Sequence, residues 1–171
     1  MKKWTEKEIV FQVASMFGWR KFTVVPNVRE LFGHRAEVDL VVLDNKTRYA
    51  REVEIKISRA DFLADKKKGY KHNSPLFKFF YFAMPTELYP EVVDLIPEDA
   101  GVILVREIVD YDGTTWRVAE VKVEPKAKPI FRQWELSEAL RLAQLGTLRF
   151  WYREQKERQK EKEAERQAAG K

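Results

Sequence analysis

The sequence predicts a domain of the α/β or α+β class, and three observations carry that prediction. Apolar residues recur at helical spacing in some stretches and at every second position in others. N-cap residues and turn-forming clusters punctuate these stretches. With 171 residues, 44% hydrophobic and 13% aromatic, the chain is long and apolar enough to close one sizeable core.

The first helix is expected in "TEKEIVFQVASMFG". Thr5 is its N-cap and Glu8 completes a capping box, Ile9, Val10, Val13 and Phe17 form the apolar stripe, and Gly18 is the stop. "KFTVVPNV" reads as a strand near a sheet edge, because Pro26 has no N–H to donate. "AEVDLVVLD", the reversal "DNKT" and "RYAREVEIKI" follow, so the three strands form a meander whose later pair is antiparallel. Ser58 caps a second helix through "RADFLADKKKGY", with Asp61 as its partner at the third helical position. "FKFFYFAM" is apolar throughout, as a central strand is. A short helix or turn in "TELYPEVVDLI" leads to a buried strand, "AGVILVREI". "DYDGTTWRVAEVKVE" is then a marginal hairpin turning at Asp112-Gly113.

The core is expected over 1–124, a connector over 125–133 and a helical extension over 134–171 that can run as one long helix or two, with Gly146 as the place of a kink. From Arg153 onward that extension is almost all charge, a pattern that is solvated, frayed or laid on a partner. Trp4, Trp19, Trp116, Trp134 and Trp151 are expected as packing anchors.

Charge and composition exclude several chemistries. The net charge of +5 and a pI near 9.3 favour polyanionic partners, although 27 acidic residues are present as well. Cysteine is absent, which rules out disulfides, thiol catalysis and cysteine-built zinc or iron–sulfur sites. There is no glycine-rich phosphate loop or dinucleotide fingerprint. No apolar run reaches the length of a membrane span, and "MKKWTEKEIV" lacks the apolar core of an export signal. A soluble, cytoplasmic protein is the expectation.

Chemistry concentrates on one strand face. By strand alternation Glu37 and Asp39 share a side of one strand, and Glu52, Glu54 and Lys56 share a side of the next. Like charges so placed cost energy unless something compensates them. A hard divalent cation would do so: Mg²⁺ takes one or two carboxylates and completes its shell with water and phosphate. On this reading Asp39, Glu54 and the main-chain carbonyl of Ile55 hold the metal, and Lys56 orients water or offsets charge on the attacked phosphate. The alternative is a solvated sheet face on which Glu54 and Lys56 are merely neighbours.

The order helix, strand, strand with Asp39, strand with Glu54-Ile55-Lys56, helix resembles the core of the PD-(D/E)xK nuclease superfamily. "EVEIKISRADFLADKKKGYKH", followed by "KFFYFAMP", more narrowly resembles the small MmcB-like DNA-repair proteins within it, over roughly residues 5 to 105. Val38 stands where the proline that names the motif would be. The resemblance implies a restriction-endonuclease-like three-layer core, a central mixed sheet flanked by helices. It also implies Mg²⁺ or Mn²⁺, metal-ligand roles for Asp39 and Glu54, and the catalytic-lysine role for Lys56. Glu6 would match an extra acidic ligand on the first helix, although a first-turn glutamate is also favoured by the helix dipole, and Glu8 lies close by. Asp61 and Asp65 belong to the same pattern, as a cap partner, a salt-bridge partner or a support for Lys56 from behind.

Lys66, Lys67, Lys68, Lys71 and Lys78 with Tyr70 and His72 form a basic, aromatic run suited to phosphates and a splayed base, or a solvated surface. His34, ahead of the Asp39 strand, is either a DNA contact or a surface histidine. Neither histidine has a companion at metal-ligand spacing. The reading that follows is a metal-dependent DNA endonuclease or repair nuclease, with DNA and either a second copy or a repair protein as partners. The alternatives are an inactive DNA-binding or repair-complex scaffold on the same fold, and a dimerisation module working through its C-terminal helix.

Overall fold

A computed structural model of the chain describes residues 4–29, 37–67, 72 and 74–169, without the side chains of 65–67 and 167–169. Helix α1 (Glu6–Phe17) starts with the capping box: the Thr5 hydroxyl accepts from the Glu8 N–H at 3.3 Å, and the Glu8 carboxylate accepts from the Thr5 N–H at 2.9 Å. Ile9 and Val13 are its fully buried stripe.

Six strands lie side by side in chain order: β1 (Phe22–Val28), β2 (Val38–Asp44), β3 (Ala50–Ile55), β4 (Phe77–Pro85), β5 (Gly101–Val109) and β6 (Thr115–Val123). The first three form an antiparallel meander. Its second reversal is tight because Asp44 Oδ1 accepts from the N–H groups of Lys46 and Thr47. From β3 to β5 the pairing is parallel, and parallel neighbours need crossovers. Helix α2 (Arg59–Lys67) supplies the first; helix α3 (Tyr89–Val92) and a 3₁₀ turn (Val93–Leu95) supply the second. β4 is the hydrophobic centre, buried from Phe80 to Met84. The β5–β6 hairpin turns with Gly113 at φ 83, a conformation open to glycine at little cost.

Both sheet faces are covered. Ile9 and Val13 of α1 pack on Leu40, Val42, Val53, Ile55 and Tyr81. The opposite face carries two clusters: α2 and α3 over Phe80, Phe82 and Met84, and helix α4 (Leu136–Ala169) over Val25, Val41, Leu43 and Phe77. The fold is therefore mixed α/β, with a six-stranded mixed sheet between layers of helices. No helix among the described residues is long and apolar enough to cross a membrane.

Three expectations are corrected or narrowed. Residues 125–133 are more than a connector. Lys128 N–H donates to the Lys78 carbonyl and Arg132 N–H to that of Pro75, so the segment straps across β4, and Lys128 is buried. Of the two forms open to the extension, α4 takes the single one and runs unbroken past Gly146, where a Cβ would stand 3.2 Å from Val25, so the glycine serves close approach. Trp134 is fully buried and Trp4 nearly so, but Trp19, Trp116 and Trp151 are exposed and anchor nothing in the core.

Candidate carboxylate–lysine site

The site forms where the β2–β3 ladder ends. Leu40 faces Val53 in the register, so the next step brings Asp39 opposite Glu54, both on the sheet face away from α1. Asp39 Oδ2 accepts from the Ile55 N–H at 2.8 Å, giving that amide the partner the ladder no longer supplies. Lys56 continues β3 along β4, its N–H donating to the Ala83 carbonyl at 2.9 Å. Its side chain is 3% exposed, and Nζ lies 2.9 Å from Glu54 Oε1. An ammonium sunk that deep requires a charged partner, and Glu54 provides one. α2 then begins as expected: Asp61 N–H donates to Ser58 Oγ at 3.2 Å. The Asp61 carboxylate reaches one residue further back than a standard capping box, accepting from the Ile57 N–H at 3.3 Å. Asp61 thereby fixes the backbone immediately after Lys56.

Glu52 parts company with its neighbours. It is sealed in, with Oε1 2.7 Å from His72 Nδ1 and Oε2 3.4 Å from Lys128 Nζ. Lys128 also donates to the His72 carbonyl, and the His72 ring stacks on Phe80 at 4.1 Å between centroids. Burial pushes the Lys128 ammonium below its ordinary pKa, with Glu52 opposing that shift. His72 thus belongs to this network while keeping part of its ring exposed. Sequence reasoning missed the network because Glu52 and Lys128 lie 76 residues apart and the proline-flanked strap reads as loop.

Other candidates lie apart. Lys78 is half-buried, its Nζ 4.5 Å from the Tyr49 ring centroid and 5.1 Å from that of Phe131, a cation–π setting. Glu6 is exposed on the first turn of α1, and no three acidic or histidine side chains among the described residues form a metal-holding group. Glu8 serves the capping box and the Arg117 guanidinium, whose hydrogen bond is the main cause holding its carboxyl down at about 2. His34, Lys68, Tyr70 and Lys71, with the side chains of Asp65, Lys66 and Lys67, lie outside the described residues.

No family model matches this chain, and no curated protein does. A solved structure does. SPO1766, a protein of unknown function from Silicibacter pomeroyi, is similar with a TM-score of 0.61 at 20% identity, covering 94% of this chain and 94% of that one. The likeness is one of fold.

The chemistry of the donor set can be tested against a hard cation. Asp39, Glu54 and the Ile55 carbonyl are oxygen donors on adjacent strand positions, and two carboxylates are as many as Mg²⁺ ordinarily takes from a protein. These residues fit such an ion, with Glu54 shared between it and Lys56.

Proposed function

We propose that the chain is a metal-dependent deoxyribonuclease with a restriction-endonuclease-like core, hydrolysing phosphodiester bonds in cytoplasmic DNA. The observation that carries this reading is Asp39 at the register position opposite Glu54, with Lys56 buried against Glu54. The mixed sheet between helical layers supports it by placing these residues at the carboxyl end of β3.

Asp39, Glu54 and the Ile55 carbonyl would hold Mg²⁺ or Mn²⁺. Bound there, the ion supplies an acidified water and offsets charge on the phosphate. Lys56 keeps a fixed positive charge beside Glu54, where it orients the attacking water and neutralises charge building on the phosphate oxygens. Its burial strengthens that interaction, because little water screens it. Asp61 acts indirectly, holding Ile57 so that Lys56 cannot drift from Glu54.

The test is cleavage of labelled duplex, single-stranded, flapped and four-way-junction DNA with Mg²⁺, Mn²⁺ or EDTA. Cutting that needs metal and falls at least about a hundredfold in both Asp39→Asn and Lys56→Met is the expected result. A second reading, a DNA-binding or repair-complex scaffold, is favoured by one observation: an amide and an ammonium already engage these carboxylates. Retention of DNA without cleavage under any metal would select it.

A further inference from the structure

Helix α1 packs against the face of β1 that carries Val24, and α4 against the face that carries Val25 and Val28. Between the two helices, over the outer edge of this strand, runs a groove of about 1080 Å³. It collects large apolar rings that a solvated surface ordinarily covers: Phe11 is 57% exposed, Trp19 62% and Phe150 54%. Among the described residues, three cations, Lys7, Arg149 and Arg153, line it against a single carboxylate, Glu6.

A partner strand is poorly suited to this edge. Pro26 offers no N–H, Asn27 sits at φ 51, and the Asn27 carbonyl already accepts from Arg149 Nη2. An amphipathic helix would find apolar rings here, but it would also meet three positive charges on a groove wall with one negative. The combination of ring faces and an excess of cations suits a polyanion whose units are flat and aromatic.

We propose that this groove binds an unpaired nucleic-acid strand, its bases stacking on Phe11, Trp19 and Phe150 and its phosphates held by Lys7 and Arg153, with Arg149 adding positive charge from the groove wall. Stacking of this kind accepts any base, because every base presents a π face, while the cations follow the backbone. Leu40 forms part of the groove lining and neighbours Asp39 on β2, but on the opposite face of the sheet, so the groove lies on the α1 side of the rim whose other face carries the carboxylate–lysine site. The inference deepens the nuclease reading by naming unpaired strands as its substrate. It rests on that reading for cutting, but not for binding.

Binding is therefore measured in EDTA, where no cleavage is required. Fluorescence anisotropy of a labelled oligothymidylate of about 15 nucleotides, long enough for one such groove, is followed at low and high salt. A matched duplex and an oligouridylate serve as the other arms. Because Trp19, Phe150 and Arg153 are all exposed, the Trp19→Ala/Phe150→Ala double variant and Arg153→Glu should leave the core untouched, with thermal unfolding as the check. The expected result is oligothymidylate binding that weakens with salt and falls at least about tenfold in each variant, with the duplex bound more weakly. Equal binding of the oligouridylate assigns the groove to unpaired strands of either sugar; a preference for thymidylate assigns it to DNA. Absence of strand binding by the wild type at low salt would overturn the proposal and leave the rings to a protein partner. Variants that bind as the wild type does would overturn it equally. Cleavage that fails while strand binding survives removes the nuclease reading and keeps the groove.

Discussion

Glu52 and Glu54 stand two residues apart on β3 and face the same side of the sheet, yet their surroundings divide them. Glu54 meets Lys56 at the end of the strand; Glu52 is enclosed by His72 and by Lys128 of the strap. Alternation shows that both point one way and nothing in the spacing shows which one the strap covers, so the polar face was legible and its division was not. Enclosure makes the two partners of Glu52 interdependent. Glu52→Ala leaves the Lys128 ammonium buried without its carboxylate and should cost about 3–5 kcal/mol in urea unfolding. Removing both charges together, in Glu52→Gln/Lys128→Met, should recover most of that loss, because the penalty lies in the unpaired charge more than in the missing bond. Glu8 illustrates a different residue-scale effect. Its folded value of about 2 lies below the ordinary 4.5, so the stability it contributes is present above about 4.5 and is lost as pH falls from there toward 2. An NMR titration of the Glu8 carboxyl should show that low midpoint. Arg117→Ala should move it up toward the ordinary range and flatten the acid limb of the stability curve.

At the scale of elements, legibility followed local physics. The Thr5 capping box, the Asp44 reversal, the Ser58–Asp61 start and the Asp112-Gly113 turn are contacts between residues a few positions apart, and each stands where its sequence signal lies. What failed was anything decided by a distant neighbour. Gly146 carries the signal of a break in α4, but its role is set by Val25, which no helical periodicity reports. The tryptophans divided likewise: Trp4 and Trp134 are buried as expected, Trp134 because Leu76, Phe77 and Leu142 fold over it, while Trp19, Trp116 and Trp151 find no such neighbours and stay exposed. The close contact at Gly146 makes a prediction. An added methyl improves helix propensity by about 1 kcal/mol while pressing on Val25, so the two effects oppose each other. A larger side chain has no such balance: Gly146→Leu should push α4 off β1 and cost about 1–3 kcal/mol by chemical unfolding. Past Glu154 the described helix side chains are exposed, so truncation after that residue should leave unfolding within about 0.5 kcal/mol of the full chain.

For the molecule as a whole, the sheet changes character at β3, which pairs antiparallel with β2 and parallel with β4. That change puts the start of β2 beside the ends of β3 and β4, and so brings Asp39 to Glu54 and Lys56 at one rim. The meander made the β2–β3 half of this arrangement legible. The parallel half depends on a crossover through α2 whose direction the spacing leaves open. A rim of this kind has a thermodynamic consequence that does not depend on turnover. If Asp39 and Glu54 hold a divalent cation, the folded chain binds it and the unfolded chain does not. Stability then rises by RT ln(1 + [L]/Kd), about 2.7 kcal/mol at a hundredfold excess over Kd. For a chain of this length that corresponds to a rise of roughly 5–10 °C in Tm. Thermal unfolding with and without Mn²⁺ should show the rise in the wild type and lose it in Asp39→Asn and in Glu54→Gln. A rise that persists in both variants would place the cation elsewhere, and the contacts of these carboxylates with Ile55 and Lys56 would then serve the fold rather than a metal.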